Sequence, residues 1–274
     1  MRAAVLLGVF GVLLHLERRR PLRAEVQPKA RRDLRNLGVA AIAAASVAIA
    51  ETPVTNWLTR RAARRRTGLV HRLGLPGVAR TALAVVLMDY TLFVWHYLTH
   101  RSKLLWRVHA AHHVDLDLDA TTALRFHFGE LLASVPWRAA QIELIGVTPE
   151  AFAIWQLATT IAIGFHHSNI RLPLRLEKVL ALVFVTPRMH GIHHSKVDDE
   201  CSSNWSTIFS FPDRLHGTFR LDVPGEEVEV GVPGYDDERE LTFGRVLSFP
   251  LWFTSRGSRR RAIHGRVGGP WTSV

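Results

Sequence analysis

Eleven of the fifteen histidines in this chain lie between His96 and His194, and most fall into four clusters: His96-xxx-His100, His109-xx-His112-His113, His166-His167 and His190-xx-His193-His194. On a helix, positions i, i+3 and i+4 share one face, so each cluster can present two or three imidazoles to a common point. Three imidazoles crowded into a packed site are costly to leave without partners. Imidazole suits iron, zinc or copper. Apolar stretches separate the clusters, a pattern that favours metals held at a membrane surface over metals in a soluble core.

Those apolar stretches set the expected architecture. Met1 to Leu16 has the look of a secretory signal, but it runs into Leu-Glu-Arg-Arg-Arg instead of a small-residue cleavage site and reads as an uncleaved anchor. Leu37 to Ile49 is a second apolar run. Val78 to Leu98 is a third, close to the ~20 residues needed to cross a bilayer. It carries Asp89, seven residues before His96 and on the same helical face. An ionisable residue in such a segment needs a partner, and a metal-bound histidine is one candidate. Ala151 to Phe165 is a fourth run, Leu131 to Val147 is interrupted by Pro136, Arg138 and Glu143, and Val179 to Val185 is too short to span alone. Tilted, re-entrant or interfacial helices are therefore allowed. The expectation is an all-α, polytopic integral membrane protein with about four membrane-embedded helices and a histidine-rich helical cap on the cytosolic side.

A chain of 274 residues with 47% hydrophobic residues and a net charge of +11 is unusual for a soluble enzyme. The charge gathers in Arg18 to Arg20, Arg31 to Arg35, Arg60 to Arg66 and Arg259 to Arg261, beside apolar segments, where arginine can bind anionic lipid head groups. Nucleic-acid binding is disfavoured because no basic stretch is interleaved with stacking aromatics. The basic loops at 17–36 and 59–77 cannot share a side if the segments between them both span. Either the Leu37 helix is re-entrant or the second loop lies on the outer surface. A single cysteine, Cys201, excludes an intrachain disulfide. With no polar linker or internal repeat, one domain is the economical reading. It is organised as anchor helices and basic loops (1–77), the histidine-bearing region (78–221) and an irregular segment with a basic tail (222–274).

Between the triplets, His127 could ligate metal or serve as a neighbour alongside Arg125 and Glu130, orienting other imidazoles. Consecutive helical residues point about 100° apart, so one of His166 and His167 is expected to face the cluster. Asp115-x-Asp117-x-Asp119 lacks the glycine and glutamate of an EF-hand loop and reads as a solvated loop or a source of hydrogen bonds to the histidines. The candidate ligands outnumber the four that a tetrahedral zinc takes, and two neighbouring metals would account for them. HExxH and paired-cysteine motifs are absent. A dinucleotide-binding glycine turn and an iron–sulfur cysteine cluster are absent as well, so a chemistry that needs electrons, such as the one the resemblance below implies, would draw them from a separate ferredoxin, cytochrome or reductase.

Taken in order, Asp89, His96-xxx-His100, Leu105-Trp106-Arg107-x-His109-xx-His112-His113, Thr122 to His127, His167-Ser168-Asn169-Ile170, Thr186 to Ser195 and Asp213-Arg214-Leu215-x-Gly217-Thr218-Phe219 resemble the fatty acid hydroxylase or sterol desaturase superfamily. The resemblance implies a catalytic domain over 78–221 and an oxygen-dependent enzyme with two iron ions, hydroxylating or desaturating a membrane lipid. It implies metal ligation by His96, His100, His109, His112, His113, His167, His190, His193 and His194, with His127 and His166 left open. Asp89, Arg125, Glu130 and Asn169 are then the supporting residues of the catalytic site. Four positions depart from the family pattern: Phe128 follows His127 in place of proline, Phe211-Pro212 precedes Asp213 in place of tryptophan, His216 replaces phenylalanine and Trp205 replaces tyrosine. No box histidine is lost. An unactivated C–H bond offers no acidic proton, so acid–base residues alone cannot open it. The rival from another class is a non-catalytic histidine-rich protein that binds or transports zinc, which would need polar groups along a membrane path; Asp89 is nearly the only one.

Overall fold

Of the four helices that carry the grouped histidines, three start at a side chain that caps them, while the first follows Pro76 with no side-chain cap. Ser102 accepts from the Leu105 amide and opens α6 (Lys103–His113) one residue after α5 (Gly77–Arg101) has ended. Thr148, followed by Pro149, opens α8 (Pro149–His167), and Thr186, followed by Pro187, opens α10 (Pro187–His193). A capping hydroxyl satisfies an amide that the first turn leaves unpaired, and proline just inside the start has no amide to lose.

The computed structural model describes residues 2–253 and is all-helical, with only isolated β-bridges and no strand among the described residues. Before α5 come α1 (Arg2–Arg19), α2 (Lys29–Ser46), α3 (Thr52–Arg65) and the short α4 (Leu69–Arg72); α7 (Phe128–Ile145) precedes α8, and α9 (Leu174–Leu180) precedes α10. A π-helical turn at Val47–Glu51 joins α2 to α3, so the Leu37 run continues into α3 and does not turn back. Helices α3, α5, α7 and α8 pack around Leu58, Met88, Ile142 and Trp155. Gly164 of α8 lets α1 approach closely: a Cβ there would meet the Phe10 ring at 3.0 Å.

Two helical segments, Lys29–Arg72 and Gly77–Arg101, are long and apolar enough to cross a membrane, against the about four embedded helices expected. Their outer faces carry bare apolar side chains, with Ile49 78% and Val78 86% exposed.

Two expectations are corrected. The basic run at Arg31 to Arg35 is not simply a lipid-facing patch: Arg32 is 3% exposed and pairs with Asp115 and Asp119 at 3.1 and 2.6 Å. Asp115, Asp117 and Asp119 are correspondingly buried, not solvated, and none bonds to a histidine. Asp115 also accepts from Gln27, Arg35 and Asn36. Burial alone would raise this carboxyl, but Arg32, Arg125 and Arg35 outweigh it and hold Asp115 far below the usual carboxylate range. The segment after residue 222, expected to be irregular, carries short helical turns at Gly225–Glu227, Glu238–Glu240, Phe243–Leu247 and Phe249–Trp252, and much of it is core: Tyr235, Leu241 and Phe249 pack on Ala110, Ala111 and Val114, the back of α6. The basic tail from Arg256 onward, including Arg259 to Arg261 and His264, lies outside the described residues.

Candidate metal centre

Helices α5, α6, α8 and α10 bring nine histidines together where their ends meet. The nine separate into two groups, within each of which one nitrogen per ring lies within 4.8 Å of all the others: His96, His100, His109, His113 and His193, and His112, His167, His190 and His194. The neighbours His112 and His113 divide between the groups, as do His193 and His194. That division follows from the 100° step between successive helical residues. The groups share a wall, with the His113 and His194 rings stacked at 4.1 Å between centroids.

The donor chemistry fits a cation in each group. In the second, the Nε2 atoms of His112 and His167, His167 and His190, and His190 and His194 lie 3.0, 3.0 and 3.1 Å apart. His167 Nδ1–H already donates to the Ile163 carbonyl at 2.9 Å, so its neutral Nε2 is a lone pair that can accept one hydrogen bond but not two. Three such contacts cannot all be hydrogen bonds, whereas a single cation satisfies all four lone pairs. Imidazole nitrogens ~2.1 Å from one ion and at right angles to each other stand ~3.0 Å apart, which matches. In the first group, His113 and His109 have Nε2 atoms 3.1 Å apart, and the buried Nε2 of His193 meets no hydrogen-bond partner. Burial, reinforced by neighbouring imidazoles, holds His112, His113, His190, His193 and His194 well below the ordinary histidine range. They are therefore neutral and free to ligate at physiological pH.

Nδ1 contacts set which nitrogen faces inward. His96 Nδ1–H donates to the Trp205 carbonyl and His193 Nδ1–H to the Ser203 carbonyl, both at 2.8 Å. His109 Nδ1–H donates to the buried Glu130 carboxylate at 3.0 Å. Groups in this position orient a ligating ring and raise its basicity. Glu130→Ala should therefore lower metal affinity at the first group by about 10–100-fold while leaving the second group filled, as read by metal titration of the purified protein.

The other candidates are placed differently. His127 belongs to neither group: its Nδ1 accepts from the Gly129 amide to cap α7, and Nε2 donates to the Leu247 carbonyl. His166 turns its Nδ1–H to the Thr207 carbonyl, so of the adjacent pair only His167 enters a group. Asp89 does not pair with a histidine; its carboxylate accepts from the Ile208 and Phe209 amides, both at 3.1 Å. It still serves the site, because the loop it holds supplies the carbonyls of Trp205 and Thr207. Asp213, 0% exposed, anchors the same loop through the Trp205 and Ser206 amides. Arg125 faces Asp115 at 3.5 Å, and burial lowers it to about 9 with Asp115 opposing. Asn169 is spent on the backbone of Arg23, accepting from its amide and donating to its carbonyl. Sequence reasoning missed the loop 203–207, whose contribution is made through backbone oxygens. Its one local signal is Asn204, held at φ 53° and bonded to the Met189 and Arg220 carbonyls.

Comparison with known proteins agrees with this constellation. The chain is 32% identical over 160 residues to the ornithine lipid hydroxylase OlsE of Rhizobium tropici, covering 58% of this chain and 47% of that protein. It is 28% identical over 141 residues to an alkylglycerol monooxygenase of Xenopus tropicalis, covering 51% and 30%, and 27% identical over 156 residues to a cholesterol 25-hydroxylase-like protein of Danio rerio, covering 54% and 59%. The matched stretch thus spans less than two thirds of each relative. No solved structure gives a significant match. The family model for fatty acid hydroxylase matches residues 81–218, half of the chain and the stretch that holds all nine grouped histidines, and the chain belongs to that family.

Proposed function

We propose that the chain is an oxygen-dependent membrane oxidoreductase that binds two iron ions, one in each histidine group, and hydroxylates a C–H bond of a lipid. The observation that carries this reading is the division of nine histidines into two adjoining groups of convergent nitrogens. His96, His100, His109, His113 and His193 would hold one ion and His112, His167, His190 and His194 the other. Iron held there supplies a site at which dioxygen can be reduced to an oxidant strong enough for an unactivated C–H bond. The protein's own part is to fix the rings through Glu130 and the backbone carbonyls of Ser203, Trp205 and Ile163, and to exclude water by burial. Relatives named as a hydroxylase of ornithine lipid and a monooxygenase of alkylglycerol support a lipid substrate.

Two apolar segments support membrane insertion, with α7 and α8 completing about four embedded helices and the histidines on the cytosolic side. Electrons come from a separate ferredoxin, cytochrome or reductase. Desaturation is the second reading within the same chemistry. A zinc transporter is disfavoured because Asp89 is fully engaged by backbone amides and marks no ion path.

The test is metal content after purification in mild detergent under reducing, iron-replete conditions, together with lipid analysis of producing cells under labelled dioxygen. About two irons per chain and one labelled oxygen in a lipid are expected. A single zinc, or no metal, under those conditions overturns the reading, and loss of two hydrogens without label converts it to desaturation.

A further inference from the structure

The short apolar run Val179 to Val185 ends up largely as a bare face beside the metal centre. Val179 of α9 and Leu182 after it are 62% and 55% exposed, and Val183 and Phe184 are exposed as well. A second piece joins from the helical turn at Phe211–Leu215, where Phe211 is exposed and Leu215 is 68% exposed. The two pieces form one surface. The Ser210 amide donates to the Val183 carbonyl at 2.9 Å, Arg214 donates to the Ala181 carbonyl at 3.0 Å, and the Phe184 and Phe209 rings stack at 6.0 Å between centroids. Single exposed apolar side chains are ordinary, but a contiguous patch marks an interaction site.

The charges around this face are sorted by sign. Glu17, Glu177 and Asp213, the acids of the segments that build and flank it, are all buried, and Glu177 is turned inward to Arg188 at 3.0 Å. Arg18, Arg19, Arg20, Arg171 and Arg175 are exposed and enter no ion pair among the described residues. The Arg171 amide donates to the Arg20 carbonyl at 2.7 Å, which joins the end of α1 to the approach to α9. Cations therefore gather along one edge of the apolar face with no exposed acid among them.

Helix α5 gives the level at which this face sits. The Phe211 ring stacks on Tyr90 at 6.3 Å, ~16 Å along the axis before the C-terminal end of α5, whereas His96 and His100 lie within its last two turns. The face thus meets this apolar helix nearer its middle than the histidines do.

We propose that this face lies in the bilayer surface on the histidine side, its apolar side chains among the acyl chains and its arginines on the phosphates of anionic lipids. In-plane amphipathic segments bind in this way, through apolar area and attraction to anionic head groups together. The placement rests on membrane insertion of the two apolar segments and adds which part of the histidine cap touches lipid. Because α10 begins at Pro187, three residues after Phe184, the metal centre is then held close to the level of the head groups.

The test uses the full chain reconstituted in vesicles of phosphatidylcholine, with and without phosphatidylglycerol. Single spin labels are attached to Leu182→Cys, Leu215→Cys, Ile49→Cys and Glu229→Cys in a Cys201→Ser background, and their collisions with oxygen and with a water-soluble nickel chelate are measured. Ile49 reports the spanning helix, and the exposed Glu229 reports water. The ratio of oxygen to nickel access at Leu182 and Leu215 should approach that at Ile49 and exceed that at Glu229 by about tenfold. Phosphatidylglycerol should raise the ratio, and Arg175→Gln with Lys178→Gln should remove that increase. The replaced side chains are exposed or half-buried, and Val179→Cys stands in for either face label that does not fold. Nickel access at Leu182 and Leu215 equal to that at Glu229 overturns the proposal. So does protection from both probes, as under a second copy of this chain, or a phosphatidylglycerol effect that survives the loss of both cations. Nickel access at Ile49 itself would mean that membrane insertion has failed, whereas a protected Ile49 beside accessible Leu182 and Leu215 would mean that only this face has.

Discussion

Replacing His112 and His113 together with alanine should leave the protein with no bound iron and no lipid oxidation, while each single replacement should empty one site and leave about one ion per chain. The division follows from geometry: the Nε2 of His113 meets His109 in one group and that of His112 meets His167 in the other. His112→Ala leaves three imidazoles in its group and His113→Ala leaves four, so the emptied first group should refill at a lower metal concentration than the emptied second. His15→Ala, on the exposed face of α1, should keep both ions and full activity. Elemental analysis of the four proteins decides this. Full metal content in the double variant would remove the ligand assignment for both groups at once.

The largest expected loss of stability away from the histidines is at Asp115. Asp115→Ala would leave the buried guanidinium of Arg32 and the cations of Arg35 and Arg125 facing a cavity in place of a carboxylate. Breaking a buried pair by removing one partner costs about 3–5 kcal/mol, and in a chain of this size that lowers an apparent Tm by roughly 10 °C. Thermal denaturation in detergent measures it. A shift of only a degree or two would mean that water or Asp119 already compensates the arginines. Asp115→Asn, which can still accept one hydrogen bond, should lie between the two.

The histidine groups were legible because helical periodicity and ligand chemistry act on the same residues: the i, i+3, i+4 spacing of His109, His112 and His113 sets both the shared face and the donor set. The same angular step said only that one of His166 and His167 faces the cluster; His167 was named by the family resemblance, and it is the one that enters a group. Asp89 was marked correctly as a residue in need of a partner, but its partner is backbone from Ile208 and Phe209, which carries no side-chain signature and lies more than a hundred residues away. His127 carries the same chemistry as a ligand and turns out to cap a helix, a role its spacing from Gly129 could have suggested. The arginines of 31–35 were misjudged for a related reason. A basic run beside an apolar segment looks the same whether it faces lipid or a distant aspartate, and only the fold brings Asp115 and Asp119 to it.

That long-range pairing has a consequence for how the chain is made. Arg32 precedes Asp115 and Asp119 by 83 and 87 residues, so at ~5–20 residues per second its partners emerge from the ribosome ~4–17 s after it does. For those seconds α2 carries charges that its finished neighbours do not yet answer, and it cannot settle into its final place until the segment after the second histidine cluster arrives. Helix α2 thus cannot lock before nearly half of the chain has been made, and synthesis, not only the folded state, ties the N-terminal region to the loop that follows His113.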